Sequence, residues 1–86
     1  MHFLAITGQQ CDAFKQLMAE NDWPITHQDV GQTELLAYGY VIVWQKSDAE
    51  KVVLNYADRQ GEVQAQLEVT TAAKTEVQDL LSKLAA

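Results

Sequence analysis

His27, Asp29 and Cys11 are the residues whose side chains could form a reactive site. His27 and Asp29 are two residues apart, and in a β-strand such residues point to the same side, so their side chains can meet. An imidazole beside a carboxylate can transfer protons or bind a metal ion. Cys11 lies in the first turn of a predicted helix, where a thiol can become reactive. One functional hypothesis from these residues is a small ligand-binding protein or minor enzyme with a site near His27, Asp29 and Cys11.

The same residues also have simpler structural interpretations. His2 and His27 have no cysteine or carboxylate at the spacing of a zinc site. Cys11 falls on the same apolar stripe as Phe14, which is typical of a small core residue. The sequence contains no Gly-x-Ser-x-Gly motif for a serine nucleophile and no glycine-rich phosphate loop. We therefore expect a protein that is not an enzyme, with no catalytic residues, no metal site and no cofactor.

The composition restricts the classes of partner. The chain has six basic and twelve acidic residues, a net charge of −6, and a sequence pI near 4.6. An acidic chain lacks the basic surface that binds phosphate backbones or anionic membranes, so neither nucleic acid nor a membrane is an expected partner. The first residues lack the basic segment of a signal peptide, and no apolar run reaches the roughly 20 residues of a membrane helix. The expected location is the cytoplasm.

The hydrophobic pattern predicts a single α+β domain over residues 1–86 in the order β-α-β-β-β-α. Strands are expected at 2–6, 35–46, 50–58 and 62–70, because these stretches are rich in β-branched and aromatic residues or alternate between apolar and polar. Helices are expected near 8–21 and 71–85, where apolar residues recur at helical spacing. Residues 23–34 fit either a short edge strand or a loop. The predicted fold is an antiparallel sheet of three to four strands with two helices on one face.

Two helices cover only one face of such a sheet, and the aromatic side of the strand 35–46 is the expected uncovered one. The predicted interaction surface consists of Tyr38, Tyr40, Ile42, Trp44, Gln64 and Gln66. Exposed apolar patches mark interaction sites, so we expect a non-enzymatic interaction or regulatory module with an unknown protein partner. The strip is also expected to form a homodimer, since a small core gains from self-association. Two alternatives stay open: the helices cover the aromatic side instead, or residues 23–34 fold over it, with Trp23 and Ile25 filling the gap.

Overall fold

A computed structural model describes residues 2–32, 37–59 and 62–85 of the chain. Its elements, in chain order, are β1 (His2–Ala5), α1 (Gln10–Glu20), β2 (Ile25–Gln32), β3 (Ala37–Gln45), β4 (Lys51–Arg59), β5 (Glu62–Val69) and α2 (Thr71–Ala85). The predicted α+β class is confirmed, and the two helices and four predicted strands lie within about two residues of their expected bounds. The predicted strand 35–46 begins with Leu35 and Leu36, which lie outside the described residues.

The sheet has five strands in the order β1-β5-β4-β3-β2, instead of the expected three to four. The fifth strand is β2, which forms from the segment whose sequence fitted either a strand or a loop. It pairs antiparallel with β3, with a bulge between Ile25 and His27. Because Ile25–Gln32 extends the sheet at its edge, these residues do not fold over a sheet face, and Ile25 is 53% exposed. Trp23, which precedes the strand, is 3% exposed and belongs to the core cluster. β1 pairs antiparallel with β5 at the opposite edge, so the N-terminal strand joins the sheet as expected.

Local contacts explain where α1 begins and ends. The Gln10 side chain accepts a hydrogen bond from the Thr7 backbone N–H at 3.0 Å, which satisfies one of the donors left free before the first turn. At the other end, the side-chain amide of Asn21 donates a hydrogen bond to the Leu17 backbone carbonyl at 2.7 Å. Asp22 then adopts a positive φ of 61°, a left-handed conformation that ends a helix and that Asp tolerates better than most residues. Pro24 follows and prevents continuation.

Both helices pack on the same face of the sheet and enclose one hydrophobic cluster. In α2 the buried residues Ala73, Val77 and Leu80 recur at helical spacing. In α1, Phe14 and Met18 are fully buried. These helical side chains belong to one cluster with alternate residues of the central strands, which places the core between the helix layer and a single sheet face.

Candidate functional site

The aromatic side of β3 lies beneath the helices. Tyr40, Ile42 and Trp44 are 8%, 2% and 1% exposed, respectively. These three side chains belong to the core, which corrects the expectation that they form an exposed surface and agrees with the alternative that the helices cover this side. The side chain of Tyr38 lies outside the described part of the structure. Gln64 and Gln66 are exposed, but they lie on the opposite face of the sheet.

Side-chain volume accounts for this choice of face. The Trp44 and Phe14 rings meet edge to face, with centroids 5.7 Å apart and planes at 87°, a favoured arrangement for aromatic pairs. The space between a helix layer and the sheet beneath it is filled at close-packed density, and large side chains fill it best. The opposite side of β3 offers Gly39, Val41 and Val43, which are smaller.

The side of the sheet opposite the helices, which we call the open face, is not covered by either helix in the described part of the chain. Antiparallel pairing aligns its side chains in rows that cross all five strands. One row consists of Phe3, Glu68, Val53, Val43 and His27. The next row consists of Ala5, Gln66, Asn55, Val41 and Asp29. The rows place apolar side chains at the middle of the face and polar ones around them.

The middle of the open face is an apolar strip formed by Val41, Val43 and Val53, all half-buried. Phe3 lies in the same row at the β1 edge and is 62% exposed, which is unusual for a residue of its size and type. Exposed Gln64 and Gln66 lie beside the strip on β5. An apolar centre with a polar rim is the composition found at protein interfaces, and the rim here also contains the charged side chains of Glu68 and Asp29.

The three residues proposed for a reactive site do not lie together. His27 and Asp29 are exposed on β2 and share the open face. Cys11 is 1% exposed and belongs to the core on the other side of the sheet. The sheet therefore separates the thiol from the imidazole and the carboxylate. Among the described residues, no group of three or more histidine, cysteine or acidic side chains is placed to hold a metal ion.

Cys11 instead lines a pocket of about 240 Å³ at the start of α1. The pocket is lined by Gly8, Cys11, Asp12, Lys15, Tyr40 and Tyr56. The two tyrosine rings stack with centroids 4.7 Å apart and planes 10° apart. Lys15 Nζ lies 4.7 Å from the centre of the Tyr40 ring and 3.1 Å from Asp12 Oδ1. The pocket lining thus combines two stacked aromatic rings with a cation and a carboxylate.

The thiol in this pocket is poorly suited to act as a nucleophile. Burial is the main cause that raises the pKa of Cys11, against smaller opposing effects of a hydrogen bond with Tyr40 and the charge of Lys15. Burial also raises the pKa of Tyr40 above its usual range. The charge of the neighbouring Cys11 is the second cause and raises this pKa further. A raised thiol pKa keeps the sulfur protonated near neutral pH, and the protonated form is unreactive. The position of Cys11 at a helix start does not outweigh its burial.

Phe3, Val43 and Val53 were not predicted as surface residues, although the sequence contains a signal for them. Polar Gln64, Gln66 and Glu68 identify the solvent side of β5. Arg59 pairs with Glu62, and continuing this register places Val53 opposite Glu68. The residues aligned with the polar side of β5 could thus have been identified as the open face.

Comparisons with known proteins found no matching family model, no matching curated protein and no matching solved structure. None of the described helices is long and apolar enough to cross a membrane. Function is therefore inferred from the geometry of the open face and of the pocket.

Proposed function

We propose that this protein is a non-enzymatic interaction module that self-associates by packing the open face of one copy on the open face of a second. The observation that carries the proposal is the apolar strip Val41, Val43 and Val53, with an exposed Phe3 in the same row on the far side of Glu68. Sheets pack face to face in many proteins, and their inner side chains are then apolar. A twofold axis allows the strip of one copy to cover the same strip of the other.

The open face is large enough for such an interface. Five strands about 4.8 Å apart, with a rise of about 3.3 Å per residue, give a face roughly 20 Å wide and about 30 Å long at its centre. This corresponds to roughly 500 Å² in projection for each copy, because the edge strand β1 is short. Two faces together reach roughly 1,000 Å², the lower limit for a specific interface, and side-chain relief adds to this.

The distribution of charge favours a second copy as the occupant. The chain carries a net charge of −6, which opposes self-association unless the acidic groups lie away from the contact. Exposed Asp12, Glu20, Glu76 and Asp79 lie on the helices, at the far side of the molecule. The apolar strip itself is uncharged and its neighbour Asn55 is neutral, although Glu68 lies beside Val53 and Asp29 beside Val41 on the same face. Two open faces can therefore approach without bringing these helical charges together.

Sedimentation equilibrium of the full chain at several concentrations tests this proposal. We expect wild type to shift from 9.6 kDa towards twice that mass as the concentration rises. Val53→Glu places an unpaired charge in the interface and is expected to weaken association by about 100-fold or more. Gln16→Glu, which adds the same charge at an exposed position of α1, is the matched control and should associate like wild type.

Two results would overturn self-association through the open face. One is a wild-type mass of 9.6 kDa at every concentration up to the millimolar range. The other is equal weakening by Val53→Glu and Gln16→Glu. Phe3→Ser serves as a second variant if Val53→Glu fails to fold, because Phe3 is 62% exposed and contributes little to the core. Circular dichroism establishes that each variant is folded.

The pocket at the start of α1 supports a second candidate function, the binding of a small polar molecule. Its lining offers the Lys15 ammonium and the Asp12 carboxylate as charged partners, beside the stacked rings of Tyr40 and Tyr56. A ligand with both a carboxylate and an amine would replace the Lys15–Asp12 ion pair with one charged contact to each group. Nuclear magnetic resonance titration with free amino acids tests this, with Lys15→Met as the variant expected to lose the shifts and Lys74→Met as the control. Shifts that are equal in the two variants would reject the site.

A further inference from the structure

β2 forms an exposed edge of the sheet, and this edge is a surface distinct from the open face. Within the described part of the chain, β2 pairs with β3 alone. Thr26, His27, Gln28 and Asp29 are all exposed. An edge strand presents backbone N–H and C=O groups that can pair with another chain. Natural edges are commonly blocked by lysine or proline, and neither residue occurs within Ile25–Gln32.

We propose that β2 pairs antiparallel with β2 of another copy, on a twofold axis through Gln28, so that His27 of each chain faces Asp29 of the other. This pairing joins two sheets edge to edge. It goes beyond the proposed function and does not depend on it, because contact through the open face stacks one sheet on another. The bulge lies between Ile25 and His27, so regular pairing in this register covers His27, Gln28 and Asp29 of each chain.

Geometry limits the register of this contact. A twofold axis perpendicular to the sheet maps the open face of one copy onto the open face of the other. Residues opposite each other must therefore come from the same face, because successive side chains alternate between faces. His27 and Asp29 share the open face through their pairing with Val43 and Val41, whereas Gln28 lies opposite Ile42 on the other side. Each permitted axis therefore lies midway between the two copies of one β2 residue, and we name the axis by that residue.

Charge favours one register among those centred on His27, Gln28 or Asp29. An axis through Asp29 places two carboxylates opposite each other, and like charges directly opposite are destabilising. An axis through His27 places two imidazoles opposite each other and leaves both Asp29 carboxylates without a basic partner across the contact. An axis through Gln28 pairs each His27 with the other chain's Asp29, twice. An imidazole N–H can donate to a carboxylate, and opposite-charge pairs stabilise antiparallel strands.

Disulfide trapping tests the register directly. In this geometry the two Gln28 Cα atoms lie about 4.5–5.5 Å apart, which is within the range that a disulfide spans. In a Cys11→Ala background, Gln28→Cys is expected to form a disulfide-linked dimer in glutathione buffer at least about tenfold faster than His27→Cys or Asp29→Cys. The combined variant His27→Cys with Asp29→Cys should cross-link as fast as Gln28→Cys, since these positions face each other.

Val53→Glu, added to the Gln28→Cys variant, distinguishes this contact from the open-face contact. The trapping rate should stay unchanged, because Val53→Glu disrupts only the open face.

A second experiment changes the charges that face each other across the contact. His27→Asp is expected to slow trapping about tenfold, and adding Asp29→Lys should restore the trapping rate. Equal trapping rates at all three positions of β2, or no recovery in the combined charge variant, would overturn the edge contact. Loss of trapping on addition of Val53→Glu would show that the copies meet through the open face alone.

Discussion

Adjacent residues of β4 lie in two different environments. Val52 and Leu54 are fully buried under the helices, whereas Val53 and Asn55 are half-buried on the open face. All four residues have the same strand geometry, so the difference arises from what lies above each face. The helix-covered face holds the large side chains and supplies the core. The open face holds smaller apolar side chains with a polar rim, a composition that suits a reversible contact.

The comparison predicts that the largest loss of stability comes from the covered face. Trp44→Ala removes a side chain that is 1% exposed and that packs against Phe14. Truncation of a buried aromatic residue costs about 3–5 kcal/mol, which is a large part of the stability of a small domain. Urea denaturation followed by circular dichroism measures this. A loss below about 1 kcal/mol would contradict the assignment of Trp44 to the core. Trp44→Phe serves as the control that keeps an aromatic ring.

Two neighbouring valines provide the sharpest test of the two faces. Val52→Ala and Val53→Ala make the same chemical change one residue apart, on opposite sides of β4. Val52→Ala is expected to lower the free energy of unfolding by about 2 kcal/mol, since burying a valine fully is worth about 1.5–3 kcal/mol. Val53→Ala should cost about half as much in the monomer, because Val53 is half-exposed. Equal losses at low protein concentration would show that the faces do not differ.

A smaller effect is expected where the helix layer is joined to the sheet by polar groups. The Trp23 indole N–H donates to Glu76 Oε2 at 2.5 Å, and Lys46 Nζ lies 3.4 Å from the same oxygen. Glu76 is partly exposed, so Glu76→Gln is expected to lower the free energy of unfolding by less than about 1 kcal/mol. Asp79→Asn removes a charge from an exposed position of the same helix and should have no effect. Thermal unfolding compares the two, and equal melting temperatures would contradict a role for Glu76.

The smallest effect concerns alkaline pH and the covered face. Burial raises the pKa of the Cys11 thiol, so the folded chain keeps this proton at a pH where the unfolded chain releases it. The unfolded state then binds fewer protons, and the free energy of unfolding falls as the pH rises above about 8.5. Below that pH the contribution is fully present. Urea denaturation between pH 8 and 10 measures the decline. It should be shallower in Cys11→Ala, and an identical decline in this variant would exclude the thiol as a cause.

Most elements of the fold could be predicted from the sequence, because their signals are local. The helical spacing of Ala73, Val77 and Leu80 indicates α2 without reference to any other element. The polar alternation of Gln64 and Gln66 similarly indicates a strand with one exposed side. β2 was ambiguous because its described side chains, Ile25 to Asp29, are exposed and carry no periodic apolar pattern. Its pairing with β3 depends on backbone hydrogen bonds, which any sequence can form.

The candidate site was less predictable, because β3 is apolar on both sides. The aromatic set with Trp44 and the aliphatic set with Val43 both alternate with a period of two, so periodicity cannot show which side faces the helices. The grouping of His27 and Asp29 on one face was predictable from their spacing. The separation of both from Cys11 was not, because it depends on which side of the sheet α1 covers.

The sequence alone determined the α+β class, the two amphipathic helices and the positions of the long strands, since each depends on residues close together in the chain. The tertiary structure decided which face is open, where β2 lies and how Cys11 meets Tyr40 and Tyr56. These outcomes depend on the register of strands joined by turns and on the volume that fits between the helices and the sheet. A shift of one residue in register would exchange the two faces of a strand, so only the packed structure assigns Val53 to the surface and Trp44 to the core.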